Sequence, residues 1–309
     1  MKKKKVWKWV GITVLVLVVV GIIAAVKVYS DLKSTVDAIY TPISEDEEER
    51  VSDKRDEPVD VKVEKHPFSA LILGVDERTN DVGRSDTMIL LTVNPTLGTT
   101  KMLSIPRDTY TEIIGLNKQD KINHAYAFGG MEMSVETVEE LFDIPIDYVA
   151  KVNMEGFKDI VDFVGGITVD NSFAFESGGE SFKEGKISLN GDQALAYVRM
   201  RYDDPSGDFG RQNRQKQIVQ EVLKKGVSFN TILNYQGALD ILKNNVAMNL
   251  NFNEIQSIQK NYGSSLGKIE QLYMKNGHGT KIEGIYYYIP DETELAELQD
   301  TLKQHLEIK

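Results

Sequence analysis

Cysteine is absent from all 309 residues of the chain. Thiol nucleophiles, thiolate metal ligands and redox-active dithiols are therefore excluded. Histidine is scarce, with 4 residues, so a histidine-rich metal centre is not expected either. Positive charge is in deficit: 36 Lys and Arg stand against 47 Asp and Glu, for a formal net charge of −11. A broad basic surface for nucleic acid is disfavoured, and no nucleic-acid partner is expected. What remains is 41% apolar and 27% charged residues with 24 Gly and 8 Pro, a globular composition that excludes a mostly disordered or collagen-like chain.

The charge is unevenly placed. Lys2 to Lys5 and Lys8 crowd the N-terminus, and without these five lysines the net charge would be −16. An unbroken apolar run, Val10 to Val26, follows, flanked by Trp7 and Trp9 before it and Lys27 and Tyr29 after it. At about 1.5 Å per helical residue the run and its flanks cover roughly 26 to 30 Å, one hydrocarbon thickness. The expectation is a signal-anchor helix spanning the membrane once over residues 10–28, with a cytoplasmic tail over 1–9 and the rest of the chain outside. Ala24-Ala25-Val26-Lys27 is a poor cleavage site, and no polar face marks a buried core helix, which disfavours both alternatives. An extracytoplasmic chain without cysteine suits the cell membrane of a Gram-positive bacterium.

Residues 29–65 read as a stalk and acidic spacer. Ser44 to Pro58 is too charged and too poor in apolar residues to fold alone. A single α/β domain is expected over 66–309: an α/β/α sandwich around a central mixed sheet. Phe68–Val75, Thr87–Val93 and Lys101–Ile105 read as apolar strands, which implies a sheet covered on both faces. Helical spacing appears over 134–142, 155–164, 191–200, 208–225, 231–243 and 252–262. A short strand is expected at 167–169, another at 282–289, and a terminal helix from Glu292.

Arginine is the most informative residue. Nine occur against 27 Lys; two, Arg50 and Arg55, lie in the spacer, and Arg78, Arg84, Arg107, Arg199, Arg201, Arg211 and Arg214 fall in four short segments. The guanidinium fork binds phosphate bidentately, whereas lysine serves as a generic solubilising charge. Gly74-Val-Asp76 and Ser104-Ile-Pro-Arg107-Asp108 each follow an apolar strand, where open α/β sheets bind ligands. Arg211 and Gln215 are spaced i, i+4 at the start of a helix, whose N-terminus itself favours an anion. An oxyanion site accounts for this clustering; surface ion pairs, worth about 0 to 1 kcal/mol each, would not need it. Asp76, Asp81 and Asp86 flank Arg84 and could share Mg²⁺ with a pyrophosphate, or serve as ordinary loop acids.

The chain resembles the LytR-CpsA-Psr family, and within it the wall teichoic acid transferases of Bacillus-type bacteria. The resemblance rests on Gly74-Val-Asp76, Gly83-Arg84-Ser-Asp86, Ser104 to Asp108, Asp120 to Gly130, Val164 to Val169, Leu189 to Arg201 and Asp208 to Gln215, in order along essentially the whole chain. It implies a phosphotransferase-type enzyme that moves an anionic glycopolymer from undecaprenyl diphosphate to peptidoglycan, and the chain departs from the family pattern at none of these positions. It also implies Asp76 and Asp86 as carboxylates for Mg²⁺, with Mn²⁺ as a substitute, and Arg84, Arg107, Lys121, Arg199, Arg201, Arg211 and Gln215 as pyrophosphate-binding residues.

The expected reaction is attack by a peptidoglycan hydroxyl, on muramic acid, at the sugar-linked phosphorus. Arg107 would stabilise the developing charge. Asp108 and Asp208 are candidates for the base and equally for orienting the arginines, while His124, beside Asn123, reads first as a structural residue. The rivals are a polyprenyl-pyrophosphate phosphatase using the same site and a non-catalytic, membrane-anchored regulator that binds lipid-linked precursors. A cytoplasmic tail of about nine residues leaves no room for a nucleic-acid-binding module. The prenyl groove and the oligomeric state are not legible from the residues.

Overall fold

A computed structural model describes residues 26–44, 52–55, 57–62, 66–77, 82–200, 204–206, 208–226, 235–266 and 268–308. Among these no helix is long and apolar enough to cross a membrane. The span expected over 10–28 lies, up to residue 25, outside the described residues. Residues 26–39 form a helix, α1.

The chain continues through β1 (Phe68–Val75), β2 (Ser85–Asn94), β3 (Thr99–Ser104), β4 (Tyr110–Ile113), β5 (Lys118–Lys121), α2 (His124–Phe142), β6 (Tyr148–Asn153) and α3 (Met154–Phe163). Next come β7 (Ile167–Asn171), β8 (Phe175–Ser177), β9 (Glu180–Phe182), β10 (Gly185–Leu189), α4 (Gly191–Arg199) and α5 (Asp208–Gly226). Helix Tyr235–Asn245, β11 (Val246–Met248), helix Phe252–Leu266, β12 (Ile269–Leu272), β13 (His278–Ile282), β14 (Ile285–Ile289) and helix Glu292–Leu306 complete it.

The central sheet is mixed and six-stranded, in the order β11-β6-β1-β2-β3-β12. β1 pairs antiparallel with β2 and parallel with β6, β2 is antiparallel to β3, and β12 is parallel to β3. Hence β1, β3 and β6 end, and β2 begins, on one edge. The turn after β2 is set by Asn94, whose Oδ1 accepts from the Leu97 N–H at 2.8 Å.

Alternation along β1 feeds two different layers. Leu71, Leu73 and Val75 join Met88, Leu90 and Leu103 under α2 and the terminal helix, where Val138, Phe142 and Leu302 pack against them. On the opposite face Phe68 meets Tyr148 and Tyr262 edge-on, at ring distances of 5.4 and 5.1 Å. A separate core joins α3, α4 and α5 to β7–β10 through Val161, Ile167, Phe175, Leu189, Tyr197 and Ile218.

Three local expectations need amending. α2 begins at His124, ten residues before the expected Ser134; Gly129 and Gly130 leave helical geometry and split it, and the expected helix corresponds to the second piece alone. The strand β6 was not foreseen. The expected strand 282–289 is a hairpin, turned by Glu283 and Gly284 at positive φ.

The described parts of the 29–65 stretch, expected as a stalk and acidic spacer, lie against the domain. Tyr29 contacts Phe252, Tyr40 bridges to Met248, and Ile39 and Ile43 are buried. Lys54 reaches Asp143 at 2.9 Å, Arg55 reaches Asp147 at 2.9 Å, and Val61 is buried. Composition averaged over this segment hides the fact that its cations find carboxylates of the domain, the half-exposed Asp143 side chain and the buried Asp147 side chain.

Candidate functional site: arginines and carboxylates at the edge of an apolar cavity

The strand edge where β1, β3 and β6 end gathers the charged motifs. β1 runs out at Val75, and Asp76 donates its N–H to the Arg84 carbonyl at 3.1 Å, just before β2. Gly83 makes this closure possible: its φ is +73°, and a Cβ there would lie 2.3 Å from the Asp76 carbonyl oxygen. The next residue, Glu77, accepts from Tyr126 Oη at 2.6 Å and Lys151 Nζ at 2.9 Å, tying the segment to α2 and β6.

Arg107 leaves β3 and meets Asp86 of β2 at 2.5 Å. Its neighbour Asp108 is buried and binds Lys121 Nζ, at the end of β5, at 2.7 Å. Arg199, the last residue of α4, lies 3.5 Å from Asp76. α4 owes its start to a capping box in which Asn190 Oδ1 accepts from the Gln193 N–H and the Gln193 side chain accepts from the Asn190 N–H. Gln215 of α5 donates to Thr87 Oγ1 at 2.9 Å, and Arg211, 7% exposed, lies one turn earlier on the same helix.

These groups frame one end of a cavity of about 410 Å³. Asp86, Arg107, Arg199, Arg211 and Gln215 all line it. The rest of the wall is apolar: Ile72, Ile89 and Val152 from the sheet, Phe157 and Ile160 from α3, Leu195 and Val198 from α4, Ile218 and Val222 from α5. The cavity lies between the sheet and the second core, where α3, α4 and α5 pack on each other.

The structure thus brings together Asp76, Asp86, Arg107, Asp108, Lys121, Arg199, Arg211 and Gln215, with exposed Arg84 joined through its backbone. Arg201 lies outside the described residues, as do Arg78, Asp81 and the side chain of Asp208. The apolar wall is what sequence reasoning missed. Its residues are of the same types as the core, and only the position of α3 and α5 separates the two roles.

Beside the charged mouth, His124 opens α2 and its Nδ1 lies 3.0 Å from Asp120. Burial alone would raise the Asp120 pKa, but hydrogen bonds from His124 and the Lys121 N–H outweigh it and hold the group below the usual carboxylate value. Burial, with the Asp120 carboxylate nearby, pushes Tyr287 up.

Among the described residues no three His, Asp or Glu side chains gather as a ready metal centre. Asp76 and Asp86 offer hard oxygen donors at facing strand ends, and both already oppose arginines. Such a pair fits Mg²⁺, which takes one or two carboxylates and fills its remaining positions with water and phosphate oxygens.

Known proteins resemble this chain in both sequence and fold. Over 307 residues, 99% of this chain and 98% of the relative, the sequence is 48% identical to the polyisoprenyl-teichoic acid–peptidoglycan teichoic acid transferase TagU of Bacillus subtilis (strain 168). The crystal structure of B. subtilis TagU superposes with a TM-score of 0.63 at 51% identity, covering 79% of this chain and 99% of that one. The LytR-CPS2A-psr family protein YwtF (TagT) with bound octaprenyl pyrophosphate lipid gives a TM-score of 0.65 at 31% identity, covering 83% of this chain and 96% of that one. The LytR_cpsA_psr family model matches residues 26–304, and with relatives this similar along nearly their whole length the chain belongs to that family.

Proposed function

We propose that the chain transfers wall teichoic acid, an anionic glycopolymer, from undecaprenyl diphosphate to a muramic acid hydroxyl of peptidoglycan. The observation that carries this reading is the division of one cavity into an apolar body and an arginine-lined mouth, which matches a prenyl chain ending in a diphosphate. The similarity to the teichoic acid transferase TagU, and to TagT with its bound octaprenyl pyrophosphate, supports it. The reading places the catalytic domain outside the cell, held by a single membrane span over residues 10–28 with a cytoplasmic N-terminus; the lysines and the apolar run support that topology.

In this reading the prenyl chain lies against Ile72, Ile89, Phe157 and Ile218 and keeps water from the reacting end. The acceptor oxygen bonds to the sugar-linked phosphorus as the bridging P–O bond breaks, and the electron pair of that bond leaves with undecaprenyl phosphate. Arg107, Arg199 and Arg211 donate to the phosphate oxygens on which charge accumulates, joined by Arg84, Arg201 and Gln215. Asp108 orients the Lys121 ammonium, to which it is bound. Asp208, at the start of the helix that carries Arg211, is left to take the hydroxyl proton. Held by Asp76, Asp86 and diphosphate oxygens, Mg²⁺ or Mn²⁺ would supply Lewis-acid neutralisation of phosphate charge.

The test uses the full chain in detergent with a short-chain lipid diphosphate carrying the linkage sugars, peptidoglycan and Mg²⁺. Covalent polymer on peptidoglycan is the expected product. Free phosphorylated sugar without an acceptor product would make the protein a phosphatase, and tight binding without turnover would make it a binding protein.

A further inference from the structure

Arg214 belongs to the arginine cluster in sequence but not in the cavity. It is 4% exposed, and its fork is fully engaged inside the protein. Nε donates to the Tyr197 carbonyl at 3.0 Å, and Nη2 donates to the Met200 carbonyl at 2.7 Å. Nη1 pairs with Asp204, whose side chain is itself only 2% exposed. The guanidinium also lies over the rings of Phe175 and Tyr197, at 5.3 and 5.8 Å.

The two carbonyls bracket Arg199. They belong to the end of α4, where the last carbonyls have no intrahelical partner and need an outside donor. Arg214 supplies it from α5, one turn beyond Arg211 and next to Gln215. Glycine at position 210 completes the seat. A Cβ there would lie 1.7 Å from Asp204 Oδ2, so the carboxylate occupies the space that any other side chain would fill. One buried cation therefore joins the helix carrying Arg199 to the helix carrying Arg211 and Gln215.

We infer that Arg214, seated by Asp204 and Gly210, is a positioning residue that fixes the spacing of Arg199 and Arg211 across the cavity mouth and so sets the site's fit to a diphosphate. The inference rests on the proposed role of that mouth in holding the donor's diphosphate. Lysine cannot replace the fork, because one ammonium on a flexible stem does not hold two carbonyls and a carboxylate in a fixed plane.

A double-mutant cycle on the full chain tests this. Its readouts are the affinity for inorganic pyrophosphate in the presence of Mg²⁺, by calorimetry, and the kcat and KM of transfer. Arg214→Lys keeps the buried charge, and the paired change Arg214→Met with Asp204→Asn removes both charges together, so neither leaves a lone buried ion. In the native background either change is expected to weaken pyrophosphate binding about tenfold and lower kcat/KM about a hundredfold. In an Arg199→Ala background the same change is expected to cost less than threefold in binding, because the group it positions is gone. Equal losses in both backgrounds would overturn the inference and leave Arg214 a purely structural residue. Unchanged pyrophosphate affinity in folded Arg214→Lys would overturn it too. Coupling in pyrophosphate affinity without any transfer by the native chain would keep the clamp and remove the transferase reading instead.

Discussion

Leu71 and Ile72 are neighbours on one strand, similar in size and chemistry, yet they serve opposite faces of the sheet. Leu71 is fully buried under α2 and the terminal helix, whereas Ile72 looks into the cavity. One face is filled and holds the domain together; the other is held open by helices that find their core elsewhere. Apolar character alone therefore does not say whether a residue stabilises the fold or receives a ligand. The sharpest test is to truncate both. Leu71→Ala should cost about 3 kcal/mol of unfolding free energy, whereas Ile72→Ala, which enlarges an existing space, should cost about 1 kcal/mol. Denaturant unfolding of the two variants measures the difference, and equal costs would erase the distinction between the faces.

The strand edge shared by both faces should respond in activity and hardly in stability. Arg107 takes part in the cavity mouth and is a quarter exposed, so the core does not depend on it. Removing one charged donor of this kind costs on the order of 3 kcal/mol in the transition state, a rate loss of about a hundredfold. Arg107→Ala should show that loss in the transfer assay with a nearly unchanged unfolding midpoint. Full activity in this variant would take the site out of consideration.

The filled face also has a pH signature. His305, on the terminal helix and 2% exposed, has the Thr92 hydroxyl 2.8 Å from Nδ1 and the Thr99 hydroxyl 2.9 Å from Nε2. Burial, helped by Lys101 and opposed by Glu270 and Glu307, lowers its pKa to about 4. The unfolded chain takes up this proton first, so the contribution of His305 is complete above about pH 6.5 and is lost as pH falls towards 4. The expected loss is on the order of 2 kcal/mol by about pH 4. Unfolding experiments across that window should show the slope, and His305→Asn should flatten it.

The sequence already carried β1 residue for residue, because the mostly apolar run Phe68 to Val75, between His66-Pro67 and Asp76, leaves little choice of structure. It carried the gathering of Arg107, Arg199 and Arg211 on one cavity as well, because guanidinium groups sorted into a few segments near strand and helix ends point to a shared place. It did not carry β6, where Tyr148 to Asn153 is short, contains Lys151 and runs straight into α3 without a turn signal. Nor did it carry the first half of α2, where Gly129 and Gly130 break the periodicity. The cavity was illegible for a different reason: it is a property of how α3, α4 and α5 stand off the sheet, not of any residue in its wall.

That origin gives the smallest and most selective effect. Val222 follows Gln215 by about two helical turns on α5 and lines the cavity opposite the sheet. A larger side chain there fills space on the proposed path of the prenyl chain, away from the charged mouth. Val222→Trp should raise KM about tenfold, about 1.4 kcal/mol, for a donor with a long prenyl chain. A donor with a tail too short to reach Val222 should keep its KM, and kcat should hold for both. If both donors weaken alike, the substitution acts on the charged mouth or on the fold, and the open face of the sheet is not where the chain lies. If neither changes, the cavity is a packing void, and the difference between the two faces concerns density alone.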